Sequence, residues 1–351
     1  MLKLPGLIDP HVHLRTPGQE YKEDFISGTK AAIAGGFTTI LDMPNNAVPI
    51  TTLELLKQKQ ETAKKAILCD VGFHFGSLGQ NFEEFTKVQN GVTGIKIYLN
   101  QTTGGFIVDT TAFRKICERW PVGLPILVHA EADVIAEVIE IGHQTMQNIH
   151  ICHISSQKEL ETVIQAKQNG YKVTCGVTPH HLFLTEEATQ RLGSIAMMKP
   201  TLKPQADVDF LWNHLQDIDI IESDHAPHSL EEKQNDKPPF GVPGLETTLA
   251  LLLTAVKENK LTIQDITRLC HDGPAKIFNI TEDKQTYIEV DENEVWTVDA
   301  AQLFTKAKSS PWNGITLTGK VKQVYIRGTK VFENNQFLVE PGFGQIIKNI
   351  I

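Results

Sequence analysis

Near the start of the chain, Asp9-Pro10-His11-Val12-His13 sets two imidazoles two residues apart. In an extended segment such residues project on the same side, so His11 and His13 can offer ring nitrogens to one ion. A histidine pair that is merely hydrogen-bonded at a strand end has the same spacing, and the pentad alone does not choose between the two. Four more residues of ligand type shift the balance. Lys96, His129, His153 and Asp224 each fall near the end of a short apolar, β-branched run. In a barrel of parallel strands the C-terminal strand ends share one rim, the face on which that architecture assembles active sites. Histidine and carboxylate donors suit a borderline ion such as Zn²⁺. Six positions exceed what one tetrahedral catalytic site accepts with a place left for water, so two ions are implied. Lys96 is the odd member, because an ammonium repels cations. A desolvated, neutral amine can instead add carbon dioxide and become a bidentate carbamate.

Outside this cluster, Arg15 can present a planar fork to a carboxylate, and Asn45 follows the second apolar run onto the same rim. Thr102 and Thr103, in Asn100-Gln101-Thr102-Thr103-Gly104-Gly105, belong either to an ordinary Gly-rich loop or to a lid that closes over a ligand. His180 and His181, with His74, His143, His150, His214 and His271, read as hydrogen-bonded loop residues. The five cysteines, among them Cys152, are scattered without a CxxC pair and read as buried thiols.

The elements that must carry these residues alternate along the chain. Eight β-branched runs, Leu4 to Asp9, Phe37 to Met43, Ile67 to Phe75, Gly94 to Leu99, Pro125 to His129, Asn148 to His153, Lys172 to Val177 and Ile218 to Asp224, are separated by amphipathic stretches such as Lys22 to Ala34, Thr52 to Lys64, Ala132 to Gly142, Gln157 to Gln168 and Leu245 to Glu258. This is the pattern of an α/β fold, expected to be a (β/α)8 TIM-type barrel, although the alternation also fits a doubly wound sheet. The barrel is expected over residues 1–275. Residues 276–351, with turn signals at Arg327-Gly328-Thr329 and Glu333-Asn334-Asn335, are expected to form a small β appendage packed on it.

With 351 residues, 41% hydrophobic and 21% charged, the chain can bury a large core. A net charge of −9 without a Lys/Arg cluster argues against nucleic acid as a partner. No signal-peptide pattern or run of 18 apolar residues is present, so the expectation is a cytoplasmic protein with no membrane contact.

The segments Gly6 to Arg15, Gly94-Ile95-Lys96-Ile97-Tyr98, Val128-His129-Ala130-Glu131, His150-Ile151-Cys152-His153 and Ser223-Asp224-His225-Ala226-Pro227-His228 resemble the amidohydrolase superfamily. Within it the chain is most similar to the dihydroorotases of the animal multifunctional type, over nearly its whole length. The resemblance implies that His11, His13, a carboxylated Lys96 and Asp224 hold one zinc ion, and that Lys96, His129 and His153 hold a second. Asp224 would be the catalytic acid and base. Arg15, Asn45 and His228 would bind the substrate carboxylate, the backbone around Ala226 and Gly241 the ring, and Thr102 and Thr103 would sit on a lid. The implied reaction is the reversible cyclisation of N-carbamoyl-L-aspartate to L-dihydroorotate in pyrimidine biosynthesis. A homodimer and an association with aspartate transcarbamoylase are implied partners. A hydantoinase or allantoinase, or an inactive scaffold for aspartate transcarbamoylase, are the alternatives. The sequence departs from the animal-type pattern at Lys199, where those domains have arginine, and at Gly176, where they carry a glutamate associated with an additional metal site near Cys152.

Overall fold

The computed structural model describes residues 1–102, 107–281 and 283–348. Eight parallel strands, β2 (Leu7–Val12), β3 (Phe37–Asp42), β4 (Asp70–Gly76), β5 (Gly94–Tyr98), β6 (Ile126–His129), β7 (Ile149–Ile154), β8 (Val173–Val177) and β9 (Ile220–Ile221), pair strictly in chain order. The ring closes at the rim, where Val12 bridges His225 and the His13 N–H donates to the His225 carbonyl at 2.8 Å. The doubly wound alternative is therefore excluded, since that topology reverses strand order and leaves open edges.

Strands covered on both faces read as continuous apolar runs, and β2, β3 and β7 are buried at every residue. Side chains such as Ile40, Phe73, Ile95, Val128 and Ile151 build one core between strands and outer helices. The helices start where short polar side chains can take up free N–H groups. Asp24 caps Phe25–Ala34, Thr52 caps Leu53–Lys64, and Ser156 with Glu159 forms a capping box on Gln157–Gln168. Leu245–Lys257 is apolar on most faces because it lies between the barrel and a second sheet.

That sheet is antiparallel, in the order β1 (Leu2–Pro5), β10 (Tyr287–Thr297), β11 (Thr316–Ile326), β12 (Thr329–Glu333) and β13 (Gln336–Phe337). Arg327 and Gly328 (φ 51° and 75°) and Asn334 and Asn335 (φ 47° and 66°) form its two tight turns, with the positive φ that two-residue hairpins require. Residues 2–5 belong to this sheet, so the first apolar run of the sequence breaks at Gly6 into a strand of the appendage and a strand of the barrel. Glycine is required there, because a Cβ on Gly6 would lie 2.2 Å from Thr38 Oγ1.

Candidate active site

The barrel brings the six ligand-type residues to one rim. His11 lies on β2 and His13 one residue past it; His129 ends β6, His153 is the penultimate residue of β7, and Asp224 lies three residues beyond β9. Lys96 is the central residue of β5 rather than its end, fully buried, with Nζ 2.9 Å from Cys152 Sγ. All six are less than a tenth exposed.

Two groups of donor atoms face each other. His13 Nε2 and His11 Nε2 are 3.1 and 3.3 Å from Asp224 Oδ1. His129 Nδ1 is 2.9 Å from His153 Nε2. The rings of His11 and His153 are 5.2 Å apart, so the groups adjoin, and donor atoms of His11, His153 and Asp224 lie within 4.8 Å of one another. Among the described residues His153 Nδ1 is buried without a hydrogen bond, a costly state for a polar atom in a protein interior, and His129 Nε2 has Glu131 Oε1 at 3.5 Å. Burial, reinforced by the charge of Lys96, holds His11 and His153 well below the ordinary imidazole pKa; burial likewise lowers His13 and His129. All four are neutral, the form that ligates a cation. Burial alone would raise Asp224, but the contacts around it, the hydrogen bond with His13 first, outweigh it and keep the carboxyl below its usual range.

Backbone strain collects here. Arg15 (φ 61°), His153 (φ 40°) and Asp224 (φ 43°) occupy the left-handed region, which L-residues rarely adopt without compensation. Asp9 supplies part of it. Its carboxylate accepts the N–H groups of His11 (3.1 Å) and Ser223 (3.2 Å), tying β2 to the segment after β9. Burial pushes Asp9 up to about 7 and Glu222 up to about 8.

A small cavity of about 20 Å³ is lined by His13, Arg15, Asn45, Thr102, Lys199, Asp224, Ala226, Phe240 and Gly241. Eight residues read from the sequence as substrate or metal contacts thus share it with Phe240, and its volume is that of about one water. His228 stands behind this wall, 3.1 Å from Arg15 Nη2, while Arg15 Nε donates to the Pro227 carbonyl at 3.1 Å. Asn45 Oδ1 lies 2.7 Å from His13 Nδ1, linking its loop to the histidine cluster. Gly241 has φ +131°, and a Cβ there would lie 2.5 Å from the Ala226 carbonyl oxygen. Thr103 lies outside the described residues. A larger cavity, about 460 Å³ between the barrel and the second sheet, contains none of these groups.

Several residues of the site carried no signal in the sequence. Lys22, buried, reaches His228 Nδ1 (3.4 Å) and Glu232 (3.0 Å). Lys59 pairs with Asp42 at 2.8 Å and donates to Met43 O and Asn46 Oδ1, fixing the loop that presents Asn45. Glu222 takes the space beside Gly176, where the resemblance would place another glutamate. Cys152 is a buried thiol, as are the other four cysteines. Of the histidines expected in loops, His74 lies on β4 and His150 on β7, while His143 lies in the helix Val134–Gln144, His180 and His181 in the helix Pro179–Phe183 and His271 in the helical turn Arg268–Asp272. His181 is bonded on both nitrogens, to Thr178 and Pro200 O, whereas His180 Nε2 is buried without a hydrogen bond.

The amidohydrolase family model matches residues 2–331, and the chain, a barrel whose rim gathers histidines, a lysine and an aspartate, belongs to that family of hydrolases. It is 37% identical to the dihydroorotase of Pyrococcus horikoshii, covering 98% of this chain and 84% of that protein, and so belongs with the dihydroorotases within it. It is also 41% identical to the multifunctional protein CAD of Squalus acanthias, covering 99% of this chain but 16% of that protein. Among solved structures, the L-hydantoinase of Arthrobacter aurescens superposes with a TM-score of 0.94 at 25% identity, covering 99% of this chain and 89% of that one. An inactive dihydroorotase-like domain from Chaetomium thermophilum superposes at 0.85 with 25% identity, covering 99% of each chain. Among the described residues no helix is long and apolar enough to cross a membrane.

Proposed function

We propose that the chain is a dihydroorotase, interconverting N-carbamoyl-L-aspartate and L-dihydroorotate in pyrimidine biosynthesis. The observation that carries this reading is that Asp224 and Arg15 line one cavity beside the histidine cluster, which sets a proton carrier and a buried cation on the walls of one site. Neutral imidazoles, an aspartate held below its usual range and the unpartnered Nδ1 of His153 are a donor set that fits divalent cations. His11, His13, Asp224 and a carboxylated Lys96 would hold one zinc, and Lys96, His129 and His153 the other. When bound, two such ions supply Lewis acidity toward a carbonyl oxygen and acidify water.

The chain's own groups do the rest. In the hydrolytic direction water adds to the ring amide carbon, and Asp224, kept ionised by His13, takes the water's proton and passes it to the ring nitrogen as the C–N bond breaks. Arg15 and Asn45 receive the exocyclic carboxylate, with His228 setting the guanidinium from behind. Lys199, on the same wall, adds a point charge where a guanidinium would give a fork. Gly241 and Ala226 leave backbone room for the ring.

A hydantoinase-type amidase is the second reading, supported by the superposition on L-hydantoinase. It has no use for a buried cation in the cavity. Hydrolysis of dihydroorotate, hydantoin and allantoin measured side by side separates the two: the proposal requires preference for the charged ring, and preference for an uncharged ring overturns it. A scaffold for aspartate transcarbamoylase would not need its ligand positions, and all six are filled. A cytoplasmic homodimer, with aspartate transcarbamoylase as an associated enzyme, completes the proposal.

A further inference from the structure

Glu222 is wholly buried, with no lysine or arginine within ion-pair distance among the described residues, though the charge of Lys96 acts on it. It follows β9, which pairs with β8 at Gly176↔Ile220 and Val177↔Ile221, and its own N–H continues that ladder to Val177 O at 3.0 Å. Its side chain crosses beneath β8 to two ligand-type residues on other strands. Oε2 lies 2.9 Å from His11 Nδ1 on β2, and Oε1 accepts the backbone N–H of His153 on β7.

Both contacts fill a specific gap. Pairing of β7 with β8 is irregular between Ile151 and Ile154, so the ladder leaves the His153 N–H without a strand partner at its left-handed backbone. The carboxylate takes that donor. At His11, the carboxylate in its ionised form is an acceptor at Nδ1, which places the ring proton there and leaves the Nε2 lone pair facing Asp224 and His13. Glu222 can cross only because residue 176 has no side chain: a Cβ on Gly176 would lie 2.4 Å from Oε1 and 2.8 Å from Cδ of Glu222.

We infer that Glu222 is a positioning residue, which sets the His11 tautomer and the His153 backbone through the opening that Gly176 leaves. One carboxylate thus orients one histidine of each donor group. This rests on the reading of His11 and His153 as metal ligands, and outer-shell carboxylates of this kind commonly govern metal affinity by 10- to 100-fold.

Glu222→Gln gives the sharpest test. Its carbonyl must serve the His153 N–H, so its NH2 faces His11 Nδ1, which becomes an acceptor and moves the ring proton to Nε2, the atom that should ligate. In metal-free protein above about pH 8, where Glu222 is ionised, ¹⁵N-histidine NMR should show His11 passing from the Nδ1–H to the Nε2–H tautomer. In zinc titrations against a competing chelator, affinity should fall about 10- to 100-fold. Gly176→Ala, which keeps the carboxylate but displaces it, should reproduce the loss, and the double variant should be no worse than the more severe single one. An unchanged His11 tautomer with zinc affinity within about twofold of the native chain overturns the proposal. A zinc stoichiometry that falls by one per chain in Glu222→Gln also overturns it, since the carboxylate would then be a ligand. Failure of the native chain to take up zinc would refute the metal reading instead, and the tautomer measurement would still judge Glu222.

Discussion

Replacing Arg15 tests the substrate assignment most selectively. The guanidinium is buried, and among the described residues no carboxylate lies within ion-pair distance; its donors reach only Pro227 O at 3.1 Å and His228 Nε2 at 3.1 Å. Lys22 and Lys233 lie close enough to act on the charge of the same His228 ring. The guanidinium thus lacks a paired carboxylate at a desolvated place, where a substrate carboxylate gains the most. Losing one partner of such a pair costs about 2 to 5 kcal/mol, which is about 30- to 5,000-fold in binding. Arg15→Ala should raise KM for dihydroorotate by a factor in that range. Arg15→Lys, keeping the charge but losing the fork, should cost about tenfold, one charge-assisted hydrogen bond. Dihydrouracil, the same ring without the carboxylate, is the control. Its hydrolysis should change less than about threefold in Arg15→Ala, because the clamp has nothing to hold. Equal losses for both rings would refute the reasoning and make Arg15 a structural residue of the rim.

Asp224→Asn should fold normally, since asparagine tolerates the left-handed backbone seen there, and should lose about 10²- to 10⁴-fold or more in turnover in both directions; a smaller loss at full zinc loading would remove it as the proton carrier. Lys59→Met strands the Asp42 carboxylate in the interior and should destabilise the chain by about 3 to 5 kcal/mol in denaturant titration. Asp42→Asn in the same chain should recover part of that loss, and no recovery would show that the 2.8 Å pair is incidental. Gly241→Ala forces a Cβ to within 2.5 Å of the Ala226 carbonyl oxygen at a φ of +131°. About 1 to 3 kcal/mol of strain should appear as a lower Tm together with a raised KM, and an unchanged KM would place that wall outside the substrate pocket.

The barrel could be read from the sequence because parallel strands buried on both faces leave uninterrupted β-branched runs, and runs such as Gly94 to Leu99 and Asn148 to His153 match strands to within one residue. The rim residues were legible for a related reason: the fold sends every strand end to one place, so ligand types near those ends had to meet. Less legible was the break at Gly6, where one apolar run serves two sheets, because hydrophobic pattern does not record which sheet a strand joins. Glu222, Lys22 and Lys59 left no trace, since their partners lie 211, 206 and 17 positions away and their type alone suggests solvated surface. His74 and His150 misled for the converse reason: polar rings inside a barrel look like loop residues until the strand that buries them is seen.

The central claim is that His11, His13, Lys96, His129, His153 and Asp224 together hold two cations at the barrel mouth. Anomalous diffraction at the zinc edge from crystals of the zinc-loaded protein tests this most directly. Two peaks about 3.5 to 4 Å apart are expected, one beside His11, His13 and Asp224 and the other beside His129 and His153, with density joining them through Lys96. A single peak, or peaks away from these side chains, would contradict it.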